Sequence, residues 1–306
     1  MSWYPIALPP QGGRRYLVTG ANAGLGFFTA ARLAGAGAHV VMSGRSHERL
    51  TAAAAAIRDA RPAASVEVLV IDQSSLDSVD AGAERLLAGP VLDGVVANAG
   101  MVHTPRSRHE SVDGNELVLA TNVLGHFALL GRLLPHLTSG ARILSLGSLS
   151  SRLSSFRIDD LQLERGYDFW RAYAQSKIAT QVFGFELDRR LRAAGNPVAS
   201  VVVHPGYSIS GRTPTVPGVN EPGRGARFAD ALQAPMAQGK HRGAEIPLHA
   251  LTAPGVEGGQ FWGPRFLTRG EPTLQTPTRI STDPSIGARL WRFAEEATGR
   301  SFTVGG

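Results

Sequence analysis

The chain has 306 residues, of which 43% are hydrophobic and 18% are charged, a balance typical of a well-packed globular protein. It contains no cysteine, which excludes disulfides, thiolate metal sites and cysteine nucleophiles. The formal net charge is +6, but the arginines are scattered and form neither a basic block nor an aromatic-rich basic strand. We therefore expect no nucleic acid as a partner.

The start of the chain and its apolar runs lead us to expect a cytoplasmic protein. Residues 1–13 lack the basic region and the long apolar stretch of a signal peptide. No apolar run approaches the roughly 18 residues that a membrane-spanning helix needs, so we expect no membrane span. The His, Asp and Glu residues form no group with the spacing of metal ligands, so we also expect no metal.

Apolar strands and helical segments alternate from residue 15 to about residue 206. The strands are near-continuous apolar runs, which is the pattern of strands covered by helices on both faces. This alternation predicts an α/β fold with a doubly wound, mostly parallel, Rossmann-like sheet, and ligands bind where the strand C-termini meet. The predicted strands are 16–20, 38–44, 65–72, 92–100, 141–148 and 198–206, and the first two predicted helices are 25–35 and 48–60.

The pattern changes after residue 206. Residues 207–243 are rich in proline and glycine, and so long an irregular segment is usually functional or mobile, so we expect a substrate flap there. A helix, a strand and an amphipathic helix are predicted at 244–252, 258–263 and 283–299. Because no linker or repeat is evident, the sequence predicts a single domain over residues 1–306, made of a core (13–206), the flap (207–243) and a closing segment (244–306).

A glycine-rich loop, TGANAGLG, follows the first strand at residues 19–26. Its glycines have the spacing GxxxGxG rather than GxGxxG, yet the physical roles carry over: Gly20 permits a tight turn, Gly24 lets the backbone approach a pyrophosphate, and Gly26 lets helix and strand pack closely. The next helix directs its N–H groups and positive dipole end at the anion. An ordinary glycine-rich turn is the alternative. The predicted dinucleotide contacts in the loop are Gly20, Asn22, Gly24, Leu25 and Gly26.

The ends of the second and third strands indicate which dinucleotide would bind. An acidic residue after the second strand normally accepts hydrogen bonds from the ribose hydroxyls of NAD. This chain has Arg45 instead, whose guanidinium can bind a 2′-phosphate bidentately, so the sequence favours NADP(H) over NAD(H). A solvated surface arginine is the alternative. Asp72 and Gln73 are candidate adenine contacts, although Asp72 could equally cap a helix that begins after Ser74 and Ser75.

The run YAQSK places Tyr173 and Lys177 four residues apart, on one face of a predicted helix. The chain has two lysines against 29 arginines, so a lysine in an apolar helix calls for a reason. An ammonium one turn away stabilises a phenolate and should lower the phenol pKa. It can also hold a ribose and pass protons, which a guanidinium cannot do. Tyr167 has Arg171 at the same offset and lacks such a partner.

These motifs, taken in order, resemble those of the short-chain dehydrogenase/reductase superfamily over nearly the whole chain. The glycine loop is similar to its phosphate loop, ANAG (97–100) to its fourth-strand motif, YAQSK to its Tyr-xxx-Lys motif, and HPG (204–206) to its post-strand turn. Three further stretches look like the branch that contains retinol dehydrogenases and protochlorophyllide-reductase-like oxidoreductases. They are TNVLGHFALL (121–130), GPRFLTRGEP (263–272) and LWRFAEEATG (290–299).

The resemblance implies roles for further residues. Ser148 aligns with the catalytic serine at the end of the fifth strand, with other serines close by at 145, 150 and 151. Asn122 matches the asparagine of a water-linked proton relay; a polar residue interrupting a helix is the alternative. The catalytic set is thus Asn122, Ser148, Tyr173 and Lys177. The implied cofactor contacts outside the loop are Asn98, Gly100, Tyr173, Lys177, Pro205, Gly206 and Ser208.

The implied activity is NADP(H)-dependent hydride transfer between a nicotinamide and a carbonyl or alcohol, with Tyr173 as general acid and base. Reduction of a ketone or aldehyde is favoured. Aromatic and aliphatic side chains in the loops indicate an apolar small-molecule substrate, with local packing as the alternative: Leu153, Phe156, Phe169, Trp170 and Tyr207. Two other functions stay open, a non-catalytic NADP(H)-binding sensor or scaffold and an isomerase or dehydratase. The superfamily also contains many dimers and tetramers, so a homo-oligomer is within expectation.

Overall fold

The computed structural model describes residues 8–305, and an eight-stranded sheet forms its centre. The strands in chain order are β1 (Arg15–Thr19), β2 (His39–Gly44), β3 (Ser65–Val70), β4 (Leu92–Ala97), β5 (Leu137–Leu146), β6 (Ala199–Val203), β7 (Ser208–Ile209), β8 (Gln238–Gly239), β9 (Phe261–Pro264) and β10 (Pro272–Leu274). The main sheet has the order β10-β9-β6-β5-β4-β1-β2-β3, and β7 pairs with β8 separately.

Helices connect the strands and cover both faces of the sheet. They are α1 (Gly24–Gly35), α2 (His47–Ala60), α3 (Leu76–Leu87), α4 (Leu117–Leu119), α5 (Gly125–Leu133), α6 (Phe169–Ala193), α7 (Arg224–Leu232), α8 (Lys240–Gly243), α9 (Glu245–Thr252), α10 (Arg279–Thr282) and α11 (Pro284–Thr298). A π-helical turn (Ala120–Leu124) joins α4 to α5, and short 3₁₀ turns follow at 134–136, 149–152 and 210–212.

The predicted doubly wound α/β sheet is confirmed. Every neighbouring pair in the main sheet is parallel except β9 with β10, which is antiparallel. The strand order reverses at β1, because β2 lies on one side of it and β4 on the other. In open α/β sheets, ligands bind at the strand C-termini beside such a reversal, so the candidate site is expected beyond Thr19 and Ala97.

Two apolar cores lie on the two faces of the sheet. On one face α1, α2 and α9 pack through side chains such as Phe28, Leu50 and Ile246. On the other face α3, α5, α6 and α11 enclose a cluster of aromatic rings, in which the Phe127 and Trp291 ring centroids are 5.2 Å apart. The burial of both sheet faces explains why the central strands read as continuous apolar runs.

Helix ends follow local capping chemistry. Asp168 caps α6 by accepting a hydrogen bond from the Arg171 N–H at 2.9 Å, and Ser46 caps α2 in the same way. At α11, Asp283 is the N-cap, Pro284 occupies the first turn, and Gly299 ends the helix with φ of 60°. Short polar residues at these points therefore set where the helices begin.

The segment 207–243 is less irregular than its composition predicts. It contains β7, β8, α7 and α8, and the pairing of β7 with β8 joins its two ends. No residue of α7 is buried, so the segment adds little to either core. The short α7 is amphipathic, but its apolar residues Phe228 and Leu232 are exposed, and the prolines and glycines on both sides of it made the sequence indicate a loop.

One helical stretch, Leu117–His136, is long and apolar enough to cross a membrane, with a mean hydropathy of 1.6. In this fold 78% of that window is buried inside the protein, between the sheet and its neighbouring helices. Core helices pass such a test by composition alone, so this stretch is weak evidence for a membrane span.

The aromatic cluster should make Phe302 important for the stability of the fold. Phe302 is 4% exposed, and its ring lies 4.8 Å from that of Trp291 and 5.3 Å from that of Phe127. Replacing Phe302 with Ala should lower the free energy of unfolding by about 3–5 kcal/mol, measured by denaturant unfolding. Phe266→Ala is the matched control, since Phe266 is 66% exposed, and it should change stability by less than about 0.5 kcal/mol. Equal losses in the two variants would contradict the assignment.

Candidate active site

The glycine loop after β1 closes tightly on the end of β4. Gly20 has φ of +65°, and a methyl group built on it would lie 2.8 Å from the Ala99 Cα. A methyl on Gly26 would collide with the Gly20 carbonyl and the Asn98 side chain. These two glycines therefore have the steric roles that the loop sequence predicts, a tight turn and a close approach of helix and strand.

Gly24, by contrast, opens α1 at its N-terminus. Its φ is +59°, and a methyl built on it would meet only the side chain of Lys240, 3.6 Å from Cδ and 3.9 Å from Nζ, among residues 8–305. The N-cap Ala23 has no capping side chain, and the first turn of α1 has no acidic residue. The first N–H groups of α1 are thus available to an anion, as a dinucleotide pyrophosphate requires.

Asn98 holds the ends of β1 and β4 together. Its side-chain Nδ2 donates to the Thr19 carbonyl at 2.7 Å, and its backbone N–H donates to Thr19 Oγ1 at 2.9 Å. Thr19 Oγ1 also contacts Nε2 of His126 at 3.0 Å, and burial lowers the pKa of His126 to about 4. This neutral histidine joins α5 to the end of β1.

The predicted adenosine contacts lie beside the loop. Arg45 is exposed just beyond β2, and Asn22 Oδ1 lies against Gly44, 3.1 Å from where a methyl would be. Asp72 Oδ1 accepts hydrogen bonds from Ser74, from N at 2.9 Å and from Oγ at 2.7 Å, while Ser75 is the N-cap of α3. Asp72 therefore stabilises the turn before α3 rather than capping it.

Gln73 is buried, and its amide has no hydrogen-bond partner within residues 8–305. An unpaired buried amide is costly, and this one lies against the start of α5, since a methyl on Gly125 would be 2.8 Å from its Oε1. Leu25, the remaining loop residue, contributes its backbone to the first turn of α1 while its side chain packs against Gly243.

Tyr173 and Ser148 meet beyond the C-terminal end of β5. The Tyr173 hydroxyl donates a hydrogen bond to Ser148 Oγ at 3.3 Å. Ser148 Oγ also accepts the backbone N–H of Ser150 at 3.2 Å, so its own proton is left to donate elsewhere. Ser145 and Ser150 are buried, and Ser151 Oγ donates to the Ser148 carbonyl. Ser148 is therefore the serine of this run that contacts Tyr173.

Lys177 is buried between the ends of β4 and β5. Its Nζ donates to the Leu146 carbonyl at 2.9 Å, and a methyl on Gly100 would lie 3.4 Å from it. Asn122 reaches the same place from the π-helical turn: its Oδ1 accepts the Met101 N–H at 2.7 Å, and its Nδ2 donates to Ser176 Oγ at 2.8 Å. The structure thus brings all four predicted catalytic residues together, and a π-turn at a functional position is a recurrent arrangement.

The expected acidification of Tyr173 is wrong for this structure. Burial raises the pKa of the Tyr173 phenol, and the hydrogen bond with Ser148 only partly opposes it. Burial also lowers the pKa of Lys177, to about 8. Spacing along the helix predicted the attraction between ammonium and phenolate but not the loss of water around both groups, which acts in the opposite direction on the phenol.

The turn after β6 faces the same edge. Gly206 has φ of +69°, and a methyl there would collide with the Thr268 carbonyl. Ser208 Oγ donates to the Pro205 carbonyl at 2.9 Å, so its proton is used within the turn and only its lone pairs are left for a ligand. His204, which has a pKa lowered to about 4 by burial, accepts the Gly206 N–H at 3.3 Å and contacts Gln275 at 2.9 Å.

Three residues that support or adjoin the candidate site were missed by the sequence analysis. Gln181 donates to the Ser148 carbonyl at 3.2 Å, and a methyl on Gly147 would lie 2.6 Å from its Nε2. This contact explains why glycine precedes Ser148, the candidate catalytic serine. His204 supports the Pro205–Gly206 turn, and Lys240 lies over Gly24. Only Lys240 carried a signal in the sequence, as the second of the two lysines.

Comparison with known proteins identifies the family. The profile described as short chain dehydrogenase matches residues 14–216, from β1 to just beyond β7. The chain belongs to the short-chain dehydrogenase family. It is accordingly an oxidoreductase of a family that works with a nicotinamide cofactor, and the open N-terminus of α1 with the close-packed Gly20 and Gly26 fits such a group.

Sequence relatives place the chain in the predicted branch of short-chain dehydrogenases. It is 34% identical over 302 residues to polyprenol dehydrogenase of Mus musculus, with 96% of this chain and 87% of that protein covered. It is 33% identical over 307 residues to retinol dehydrogenase 14 of Homo sapiens, with 94% and 87% covered. The resemblance to the retinol dehydrogenase branch is therefore confirmed.

Solved structures support the short-chain dehydrogenase fold. An uncharacterised protein of Mycobacterium Paratuberculosis has a TM-score of 0.79 at 34% identity, with 97% of both chains covered. A short chain dehydrogenase of Burkholderia cenocepacia J2315 in complex with NADP has a TM-score of 0.63 at 24% identity, with 83% of this chain and 97% of that chain covered. The second likeness is one of fold alone.

The buried position of Lys177 predicts its titration. In the cofactor-free protein its ammonium should lose its proton with a midpoint near pH 8, because burial lowers its pKa from 10.5 to about 8. The measurement is NMR of protein labelled at the lysine side chains. Only two lysine signals are expected, and the Lys240→Met variant assigns them.

The same shift sets the direction of a stability effect. Between pH 8 and 10.5 the unfolded chain binds more protons at Lys177 than the folded chain does, so this lysine's contribution to the free energy of unfolding should rise with pH across that window. A Lys177→Met variant should accordingly be more stable than the wild type at pH 7 by a margin that shrinks above pH 8. An NMR midpoint near 10.5 would show that the ammonium is not buried.

Proposed function

We propose that this protein is an NADP(H)-dependent oxidoreductase that transfers a hydride between the nicotinamide and the carbonyl or alcohol of an apolar substrate, with reduction of an aldehyde or ketone favoured. The observation that carries the proposal is the hydrogen bond from the Tyr173 hydroxyl to Ser148 Oγ, made where Lys177 is buried between two strand ends. A phenol, a serine hydroxyl and an ammonium at one edge suit proton transfer to a carbonyl oxygen.

The protonation state of Tyr173 favours reduction. Because burial raises the pKa of its phenol, Tyr173 keeps its proton at neutral pH and can act as a general acid. Ser148 Oγ accepts two hydrogen bonds and has its own proton left to donate to the substrate oxygen as negative charge develops there. When bound, the nicotinamide supplies the hydride to the carbonyl carbon.

Lys177 and Asn122 support this proton transfer. As the Tyr173 Oη gives up its proton, the Lys177 ammonium provides the nearby positive charge that stabilises the phenolate. Its remaining donors are available to the ribose hydroxyls, since one of them is used by the Leu146 carbonyl. Asn122 holds the π-helical turn against Met101 and Ser176, so the residues that surround the ammonium keep their positions.

Two surface features support the choice of NADP(H) and of an apolar substrate. Arg45 is exposed beside the glycine loop, where a guanidinium can bind a 2′-phosphate. Around Tyr173, the Trp170 ring lies 6.2 Å from the phenol ring, and Trp170 is 46% and Phe169 50% exposed. Retinol and polyprenol, which appear in the names of the relatives, are alcohols with a large apolar part, as such exposed aromatic side chains would suit. Phe156, by contrast, packs against the core, so it is not one of the side chains that could contact an apolar substrate.

The test of the reaction is Tyr173→Phe. This variant should bind NADPH with nearly unchanged Kd while kcat falls by orders of magnitude, because the proton donor is lost and the ring is kept. The measurement is NADPH oxidation across apolar aldehydes and ketones, with binding followed separately by calorimetry. Tyr167→Phe is the matched control: Tyr167 donates to the Pro105 carbonyl, and this variant should keep the wild-type kcat.

The outcome also separates the alternative functions. Tight NADPH binding by the wild type without turnover of any substrate would favour the sensor or scaffold function. Turnover of substrate without net accumulation of NADP⁺ would favour an isomerase or dehydratase. Wild-type kcat in Tyr173→Phe would remove Tyr173 from the role of acid.

The choice of cofactor is tested by Arg45→Asp. The variant exchanges a phosphate-binding guanidinium for a carboxylate that repels the 2′-phosphate and accepts ribose hydroxyls, so the ratio of kcat/KM for NADPH to that for NADH should fall by about tenfold or more. Arg61→Asp at the other end of α2, about 20 Å away, makes the same change of charge and should leave the ratio unaltered. A constant ratio in Arg45→Asp would refute the phosphate-binding role.

A further inference from the structure

Lys240 lies over the glycine loop although it belongs to the segment that returns after the flap. Its Nζ is 3.9 Å, and its Cδ 3.6 Å, from the position of a methyl group on Gly24. Gly24 is the first residue of α1, whose N-terminus has neither a capping side chain nor an acidic residue in its first turn. An ammonium and the positive end of a helix dipole therefore face the same small region, an arrangement that suits a multiply charged anion.

The backbone around Lys240 is held firmly in this place. The Lys240 N–H donates to Thr213 Oγ1 at 2.8 Å, and the preceding β8 pairs with β7 directly after the Pro205–Gly206 turn. Gly243, at the end of α8, packs so closely on Leu25 and Ser208 that a side chain there would collide with both. The position of the ammonium over Gly24 thus follows from the packing of α8 on α1.

Within the part of the chain that the structure describes, the Lys240 ammonium forms no direct ion pair, although the Asp230 charge acts on it. No ion pair or side-chain hydrogen bond engages its Nζ there, whereas Arg242 on the same short helix pairs with Glu245 at 3.5 Å. Burial lowers the pKa of Lys240, and the charge of Asp230 opposes this. In a chain with 29 arginines, a lysine here is a compact point charge with rotatable donors, which can bind a phosphate without the fixed orientation that a planar guanidinium needs.

We propose that Lys240 is a cofactor-positioning residue whose ammonium binds the pyrophosphate of the dinucleotide from the flap side, opposite the N-terminus of α1. The inference rests on the proposed function and names a residue that the glycine loop does not contain. The two cationic side chains then have different roles. Arg45, beyond β2, distinguishes NADPH from NADH by binding the 2′-phosphate. Lys240, over Gly24, contacts the pyrophosphate that NADPH and NADH share. It also ties the cofactor to the segment 207–243.

The test is the Kd of three ligands for wild type and Lys240→Met, measured by calorimetry: NADPH, NADH and ADP-ribose. Methionine keeps the length of the stem and removes the charge. All three Kd values should rise by about tenfold or more, since a charged hydrogen bond is lost, while the ratio of NADPH to NADH affinity stays constant. A role in packing alone would leave the affinity for ADP-ribose unchanged.

Arg242→Met provides the matched control, with the same loss of charge two residues later, and it should leave all three Kd values unaltered. If Lys240→Met has a lower Tm than the wild type without ligand, Lys240→Gln replaces it in the measurement. Unchanged Kd values in a folded Lys240 variant would overturn the inference and leave the proposed function standing. Weaker binding of NADPH alone would assign the charge to the 2′-phosphate and overturn it also. A wild type that binds neither dinucleotide would remove both proposals.

Discussion

The burial of one ammonium is the constraint around which the site is built. Lys177 lies within the core, and a buried charge is costly unless polar groups surround it. The Leu146 carbonyl at the end of β5 supplies one such group, and Gly100, after β4, is small enough to leave room for it. The π-helical turn brings Asn122 to the same place. Two strand ends and two helices are thereby fixed relative to one another where β4 and β5 end.

Much of this arrangement could be predicted, because it depends on local patterns. Continuous apolar runs indicated a sheet covered on both faces, and the strands lie within a few residues of their predicted bounds, apart from β5, which begins at Leu137 rather than near Ala141. The glycine spacing indicated where the backbone must turn and where it must pack closely, and Gly20 and Gly26 have those roles. The four catalytic candidates, which came from the resemblance and the Tyr-xxx-Lys spacing, meet at one edge.

What sequence reasoning missed depends on contacts between distant residues or on the loss of water. Gln181 and Gly147 are far apart in the chain, so nothing near Gly147 showed why a larger residue would not fit. The support of the Pro205–Gly206 turn by His204 needs Gln275 from beyond β10. The expected direction of the Tyr173 pKa shift was wrong because burial is its main cause, and the opposing effect comes from the hydrogen bond with Ser148 rather than from Lys177. The elements between residues 207 and 243 were missed because they are short and lie among prolines and glycines: β7 and β8 have two residues each, α8 has four, and α7 buries none of its nine.

The pairing of β7 with β8 has a consequence for how such a protein can change. Ser208–Ile209 lie beside Gln238–Gly239, so the intervening chain departs from and returns to one point of the scaffold. The entropy of closing a loop grows only slowly with its length, and both anchors are already held by the turn after β6 and by α8. Insertions, deletions or exchanges between these anchors can therefore change the surface of the protein there, while the strands and helices behind them keep their positions.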